Sequence, residues 1–143
     1  MRLQSTTAAC GPAALSNALA AMGITRSEDE CGKLCRCTAT DGTSHRNMIR
    51  AVRSIDGLLG MVIEEQKGDV AFLRLADALR TTHPLLLLVD NWEHWIAAVG
   101  MLGGRVLVAD SADNELILSM DFPTLIRRWG CHGVRKPFWA VLL

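Results

Sequence analysis

The chain has 143 residues, half of them hydrophobic and 21% charged, and its 15 basic and 15 acidic side chains cancel at neutral pH. That length encloses one core, so a single domain over residues 1–143 is expected, and the composition excludes a chain disordered throughout. A balanced charge lacks the basic excess of a nucleic-acid-binding domain, and the longest apolar runs, Leu85 to Val89 and Ile96 to Gly104, fall far short of the roughly 20 residues a membrane-spanning helix needs.

A first helix is expected from Cys10-Gly11-Pro12, because a proline in the first turn lacks only an N–H that would be unpaired there anyway. Leu15, Ala18, Leu19 and Met22 then mark one buried face, and many alanines would let this helix pack closely at the centre of the fold. Gly23 is its stop. Ser27-Glu28-Asp29-Glu30 reads as a capping box opening a second helix to about Cys35. A third follows the turn Asp41-Gly42, capped by Thr43 or Ser44, and buries Met48, Val52 and Ile55. Met61 to Glu65 is a short strand, and a fourth helix runs from Asp69 to about Leu79.

The pattern then changes. Leu85 to Val89, Trp95 to Met101 and Arg105 to Asp110 are strand-length apolar runs, the last two joined across Gly103-Gly104 as a hairpin. Leu116 to Met120 is a further strand, Phe122 to Trp129 a brief helix, and Pro137 to Leu143 a closing strand. The expected class is α+β: a helical N-terminal half whose first helix is central, packed on an antiparallel sheet from the C-terminal half.

Cys10 stands at a helix start, where unpaired N–H groups and the helix dipole favour a thiolate. Position alone serves a nucleophile and a small core cysteine equally well. Gln4, six residues earlier, could offer its amide to an oxyanion together with the Cys10 N–H. The segment Gln4-Ser5-Thr6-Thr7-Ala8-Ala9-Cys10-Gly11-Pro12-Ala13-Ala14-Leu15 resembles the nucleophile segment of papain-like cysteine peptidases. It is most similar to the bacteriocin-processing (double-glycine leader) peptidase family and its stand-alone relatives.

That resemblance implies a papain-like fold, with a histidine and then an aspartate or asparagine on strands of the second half. His94 begins the strand after Leu85 to Val89, and Asp110 ends the next one. They lie nine residues before Gly103 and six after Gly104, so alternation alone does not settle whether they share a face. Taken together, Cys10 is the expected nucleophile, His94 the base, Asp110 its orienting group and Gln4 the oxyanion donor. His45, His83 and His132 begin no strand leading to an acid. Asp41-Gly42-Thr43 also resembles the family and, with Trp92, is assigned to substrate binding. Trp95, Trp129 and Trp139 are assigned to packing.

Cys31, Cys35 and Cys37, with His45 beyond, form a rival constellation, but the spacing matches no common zinc motif, and Cys31 and Cys35 are placed i, i+4 to face a core. No metal and no cofactor are expected. Five cysteines, an odd number, and a polar stretch from Gln4 to Thr7 in place of a secretory pattern point to a reduced, cytoplasmic protein. The resemblance implies a cysteine peptidase cleaving after small residues such as paired glycines in a leader. An amidase, deamidase or transpeptidase of the same fold, or a binding module that has lost the reaction, stays open. The expected partner is a peptide or protein substrate, with the chain either an excised domain of an export transporter or its stand-alone companion.

Overall fold

The computed structural model describes residue 1 and residues 3–143. A single 3₁₀ turn, Thr7–Ala9, leads directly into α1, Cys10–Ala21. The α1 positions from Cys10 to Leu19 are all buried, Ser16 and Asn17 included, so this helix is enclosed rather than amphipathic, and its alanines bring the backbone close to the sheet. The Ser27 hydroxyl accepts the Glu30 N–H at 3.0 Å to start α2, Glu28–Leu34. Ser44 does the same for Asn47 at 3.2 Å to start α3, His45–Arg53. Ser44 is therefore the cap of the third helix and Thr43 is not. Both sites satisfy N–H donors that the first turn leaves open.

The rest of the chain alternates strands with two helices: β1 Met61–Glu65, α4 Gly68–Arg80, β2 Leu85–Val89, β3 His94–Leu102, β4 Arg105–Ala109, β5 Ile117–Met120, α5 Phe122–Trp129 and β6 Phe138–Leu142. All six strands join one antiparallel sheet in the order β1-β6-β2-β3-β4-β5. The expected α+β class and the antiparallel sheet are present, as is the packing of α1 upon it.

The sheet has two covered faces. Ala14, Leu15 and Leu19 of α1, Cys31 of α2 and Met48 of α3 pack with Leu86, Leu88, Trp95 and Trp139 on one side. Leu75 of α4 and Leu125 and Trp129 of α5 pack with Leu85, Leu87, Ile96 and Val108 on the other. Successive side chains of β2 thus enter opposite cores, which explains why Leu85 to Val89 is apolar at every position rather than alternating. The sequence pattern identifies α4 and α5 as helices but does not say that they close the reverse face. Among the described residues, no helix is long and apolar enough to cross a membrane.

Candidate active site

Cys10 is the first residue of α1 and only 7% exposed. The His94 side chain and the backbone N–H groups of Trp95 and Gly11 surround its sulfur and favour its ionised form. Gly11 is where α1 meets the 41–43 segment most tightly. A Cβ there would stand 2.6 Å from the Thr43 hydroxyl oxygen and 2.7 Å from its Cβ, closer than side chains approach. Only a glycine lets the sulfur-bearing end of the helix sit this near Thr43.

His94 begins β3, and its Nε2 lies 2.8 Å from Asp110 Oδ1. That leaves Nδ1 as the ring nitrogen available to Cys10. The second contact on Asp110 Oδ1 is the Ala112 N–H at 3.1 Å, while Arg128 Nη1 donates to Oδ2 at 3.1 Å. The Asp110 side chain is 6% exposed and that of His94 14%, so the pair is largely withdrawn from water.

An irregularity in β3 brings them together. From the hairpin turn, Leu102 pairs with Arg105 and Gly100 with Leu107. Continuing that register would set Asp110 opposite Ala97 and turn it to the face away from His94. Instead the register shifts between Ala98 and Gly100, Val99 is the extra residue, and Ala98 pairs with Val108 and Ala97 with Ala109. Ile96, Ala98, Val106 and Val108 then share one face, and strand alternation gives His94 and Asp110 the same parity, consistent with their 2.8 Å contact. One bulged residue settles the facing that strand alternation leaves open.

The electrostatics follow from this packing. Burial raises the Cys10 pKa, and this is the largest single effect; the His94 hydrogen bond, the Trp95 N–H, the His94 charge and the Gly11 N–H together outweigh it and hold the thiol below its ordinary value. Burial depresses His94, but hydrogen bonds to Asp110 and Cys10 and the charges of both raise it to about 9. Burial likewise works against the Asp110 carboxylate, yet His94, the Ala112 N–H and Arg128 bring it down to about 2. The arrangement favours a thiolate beside an imidazolium beside a carboxylate.

Gln4 is tied to the same end of the sheet. Its N–H donates to the Ser111 carbonyl at 2.9 Å, and its side-chain oxygen accepts the Ser111 hydroxyl at 2.9 Å. The amide nitrogen donates to the Thr6 carbonyl at 2.8 Å and, more weakly, to the Thr7 carbonyl at 3.4 Å. To serve an oxyanion it must release the longer of these bonds.

A cleft of about 370 Å³ opens beside Cys10. Asp41, Gly42, Thr43 and Trp92 all line it, together with Thr7, Ala8, Ala39, Thr40, Glu93 and Trp95. Its charged lining is acidic, from Asp41 and Glu93. Trp92 is held by its indole N–H on the Pro137 carbonyl at 2.9 Å and by an edge-on contact with the His45 ring at 4.8 Å. Trp95, read from the sequence as packing, is buried and donates its indole N–H to the Thr43 carbonyl at 3.0 Å, so it also braces the cleft wall. A larger hollow of about 550 Å³ beside α3, lined by Arg46, Ile49, Arg50, Arg53 and Ser54, contains no cysteine or histidine.

Elsewhere, Cys31 and Cys35 are wholly buried, and burial with the neighbouring thiols pushes Cys35 up to about 12. Cys37 donates to the Ala8 carbonyl at 3.3 Å. Among the described residues no group of three or more His, Cys, Asp or Glu could hold a metal ion. His45 packs between Trp92 and Trp139, and burial lowers its pKa. Sequence reasoning missed Arg128, Asp90, Ala112 and Glu93, for which no motif gives a signal.

The site thus sets a cysteine at the head of a central helix beside a histidine at the start of a sheet strand. No protein-family model matches the chain, and no curated protein matches its sequence. Solved structures do match its fold. The peptidase domain of Streptococcus ComA, a bifunctional ABC transporter of a quorum-sensing pathway, superimposes with a TM-score of 0.71 at 18% identity, covering 99% of this chain and 95% of that one. A double-glycine-motif protease from an AMS/PCAT transporter, solved with its leader peptide, gives 0.67 at 15% identity, covering 98% and 87%. A structure described as a C39-like peptidase from Bacillus anthracis gives 0.69 at 12% identity, covering 99% and 92%. The chain therefore has the fold shared by the double-glycine leader and C39-like peptidases.

Proposed function

We propose that this chain is a cysteine peptidase domain that cleaves a peptide substrate after small residues, in the manner of leader removal at paired glycines. The observation that carries the reading is the 2.8 Å contact of His94 with Asp110, set beside Cys10 at the head of α1, whose thiol the His94 ring holds below its ordinary pKa. The Cys10 thiolate attacks the scissile carbonyl to form a carbon–sulfur bond. The Cys10 N–H and the Gln4 amide steady the oxyanion. His94 gives its proton to the leaving amine as the carbon–nitrogen bond breaks. It then takes a proton from water, whose oxygen displaces the sulfur and releases the acid. Asp110 holds the imidazole in place and stabilises its charged form.

Support for the substrate class comes from the fold neighbours, two of which are peptidase parts of transporters, one solved with a leader peptide. On that analogy the substrate is a leader-bearing peptide, and an export transporter is the partner or parent. Cys10, Cys35, Cys37 and Cys131 form no disulfide, which suits the reducing cytosol. The test is hydrolysis of peptides carrying an internal Gly-Gly, set against peptides whose only labile groups are side-chain amides. Cleavage after Gly-Gly that vanishes in Cys10→Ala is the expected result. Ammonia release from side-chain amides would reassign the chain to the amidases, and no turnover of either would leave a binding module. Gln4→Ala is expected to lower kcat by roughly 10²–10³.

A further inference from the structure

We propose that Arg128 is a positioning residue of this site, its one guanidinium tying the carboxylate that orients His94 to the turn that carries Trp92 into the cleft. This rests on the reading of Cys10 and His94 as the reacting pair.

Arg128 lies near the end of α5, on the face of the sheet opposite α1. Its Nη1 donates to Asp110 Oδ2 at 3.1 Å, while Nε and Nη2 form a fork on Asp90, 3.0 Å to Oδ1 and 2.7 Å to Oδ2. The Asp90 N–H in turn donates to the Arg128 carbonyl at 2.8 Å, so the two residues are joined through backbone and side chain alike. A planar guanidinium can hold both carboxylates at fixed angles, which a lysine ammonium cannot. Asp110 Oδ1 is occupied by His94 and Ala112, so Arg128 controls the other oxygen and with it the plane of the carboxylate.

The turn at the other end of this bridge needs holding. Asp90, Asn91 and Trp92 have φ of 53°, 62° and 66°, three consecutive side-chain-bearing residues in the left-handed region that L-residues avoid. Each is anchored from α5 or the segment leading to β6. Arg128 grips Asp90, the His132 N–H donates to Asn91 Oδ1 at 2.9 Å, and the Pro137 carbonyl receives the Trp92 indole at 2.9 Å. His94 follows two residues after Trp92. A displacement of Arg128 therefore reaches the reacting pair by two routes, through Asp110 and through the backbone entering β3.

The charged groups facing Arg128 are Asp90 and Asp110, and those facing His94 are Asp110 and Cys10. Arg128 hydrogen-bonds neither Cys10 nor His94, so its influence must pass through Asp110 or the turn. A double-mutant cycle on the full chain tests this without any substrate. The readout is the rate of Cys10 alkylation by iodoacetamide at pH 7, followed by peptide mass mapping, with the downfield proton resonance of the hydrogen-bonded His94 Nε2–H recorded alongside.

R128M is expected to slow alkylation about tenfold and to weaken or shift that resonance upfield. In a D110N background the same change should cost clearly less than in the wild type, because the route through Asp110 is already gone and only the route through the Asp90 turn remains. R128K keeps the charge without the fork and should fall between. It also serves if R128M does not fold, and a thermal melt of each variant establishes that. An equal loss from R128M in both backgrounds, or wild-type rate and resonance in R128K and R128M, would overturn the proposal. H94Q separates the two layers. If it alkylates as fast as the wild type, the reading of the site itself fails, whatever Arg128 does.

Discussion

Gly11 shows how a single missing Cβ places the sulfur. Gly11→Ala would drive a methyl group into the Thr43 side chain at 2.6–2.7 Å. Overpacking of this kind is expected to destabilise the fold by about 1–3 kcal/mol and to slow Cys10 alkylation, measured by urea denaturation and iodoacetamide kinetics. The ionisable residues set the pH response. Asp110 has a folded pKa of about 2, below its ordinary 3.8, so its contribution to stability is present above about pH 4 and is lost as pH falls toward 2. His94, raised from 6.5 to about 9, works in the other sense: its contribution is complete below about pH 6.5 and disappears as pH rises through 9. Urea midpoints recorded across pH for wild type and D110N should differ most between pH 4 and 6.5, and a constant difference at every pH would contradict this assignment. Cys10, His94, Asp110 and Gln4 were legible as residue types in order along the chain. Arg128 was not, because its partners Asp90 and Asp110 are 38 and 18 positions away and no local pattern links them.

At the scale of elements, the bulge at Val99 decides the site. The diglycine hairpin was readable, and so were both strands, but the inserted residue was not: Gly100 inside the strand is the one local hint of a bulge, and it does not say which residue is extra. Deleting Val99 is expected to restore the turn's register along the whole hairpin, turn Asp110 away from His94 and abolish peptidase activity. Circular dichroism on the same sample establishes that the sheet persists, and a folded, fully active deletion would show that the bulge is dispensable. The caps of α2 and α3 were legible, Ser27 outright and Ser44 as one of two candidates, because they depend on local chemistry, whereas the cap of α5 was not singled out. Asp121 accepts the Thr124 N–H at 2.9 Å to start α5, the helix that presents Arg128. Asp121→Ala should cost about 0.5–2 kcal/mol by urea denaturation.

For the molecule as a whole, the controlling fact is a sheet enclosed on both faces. The continuous run Leu85 to Val89 was recognisable as a buried strand. Which helices buried it on each side depends on contacts between distant segments, which hydrophobic periodicity does not encode. Truncation on either side should be costly: Leu86→Ala, facing α1, and Leu87→Ala, facing the other core, are each expected to lose about 2–5 kcal/mol. Leu73→Ala, on the exposed side of α4 at 62% exposure, should stay within about 0.5 kcal/mol of the parent. If Leu87→Ala were as mild as Leu73→Ala, the second core would not be the support assigned to it.

The chain supplies its own controls for the claim on which this account turns, since Cys31, Cys35, Cys37 and Cys131 stand alongside Cys10 as further cysteines. Limiting iodoacetamide at pH 7, quenched at short times and mapped by peptide mass spectrometry, ranks the five by reactivity. Cys10 should be modified first despite being 7% exposed, ahead of the more accessible Cys37 and Cys131, and that priority should vanish in His94→Gln. Modification of Cys37 or Cys131 while Cys10 stays intact would contradict the assignment of Cys10 as an activated nucleophile.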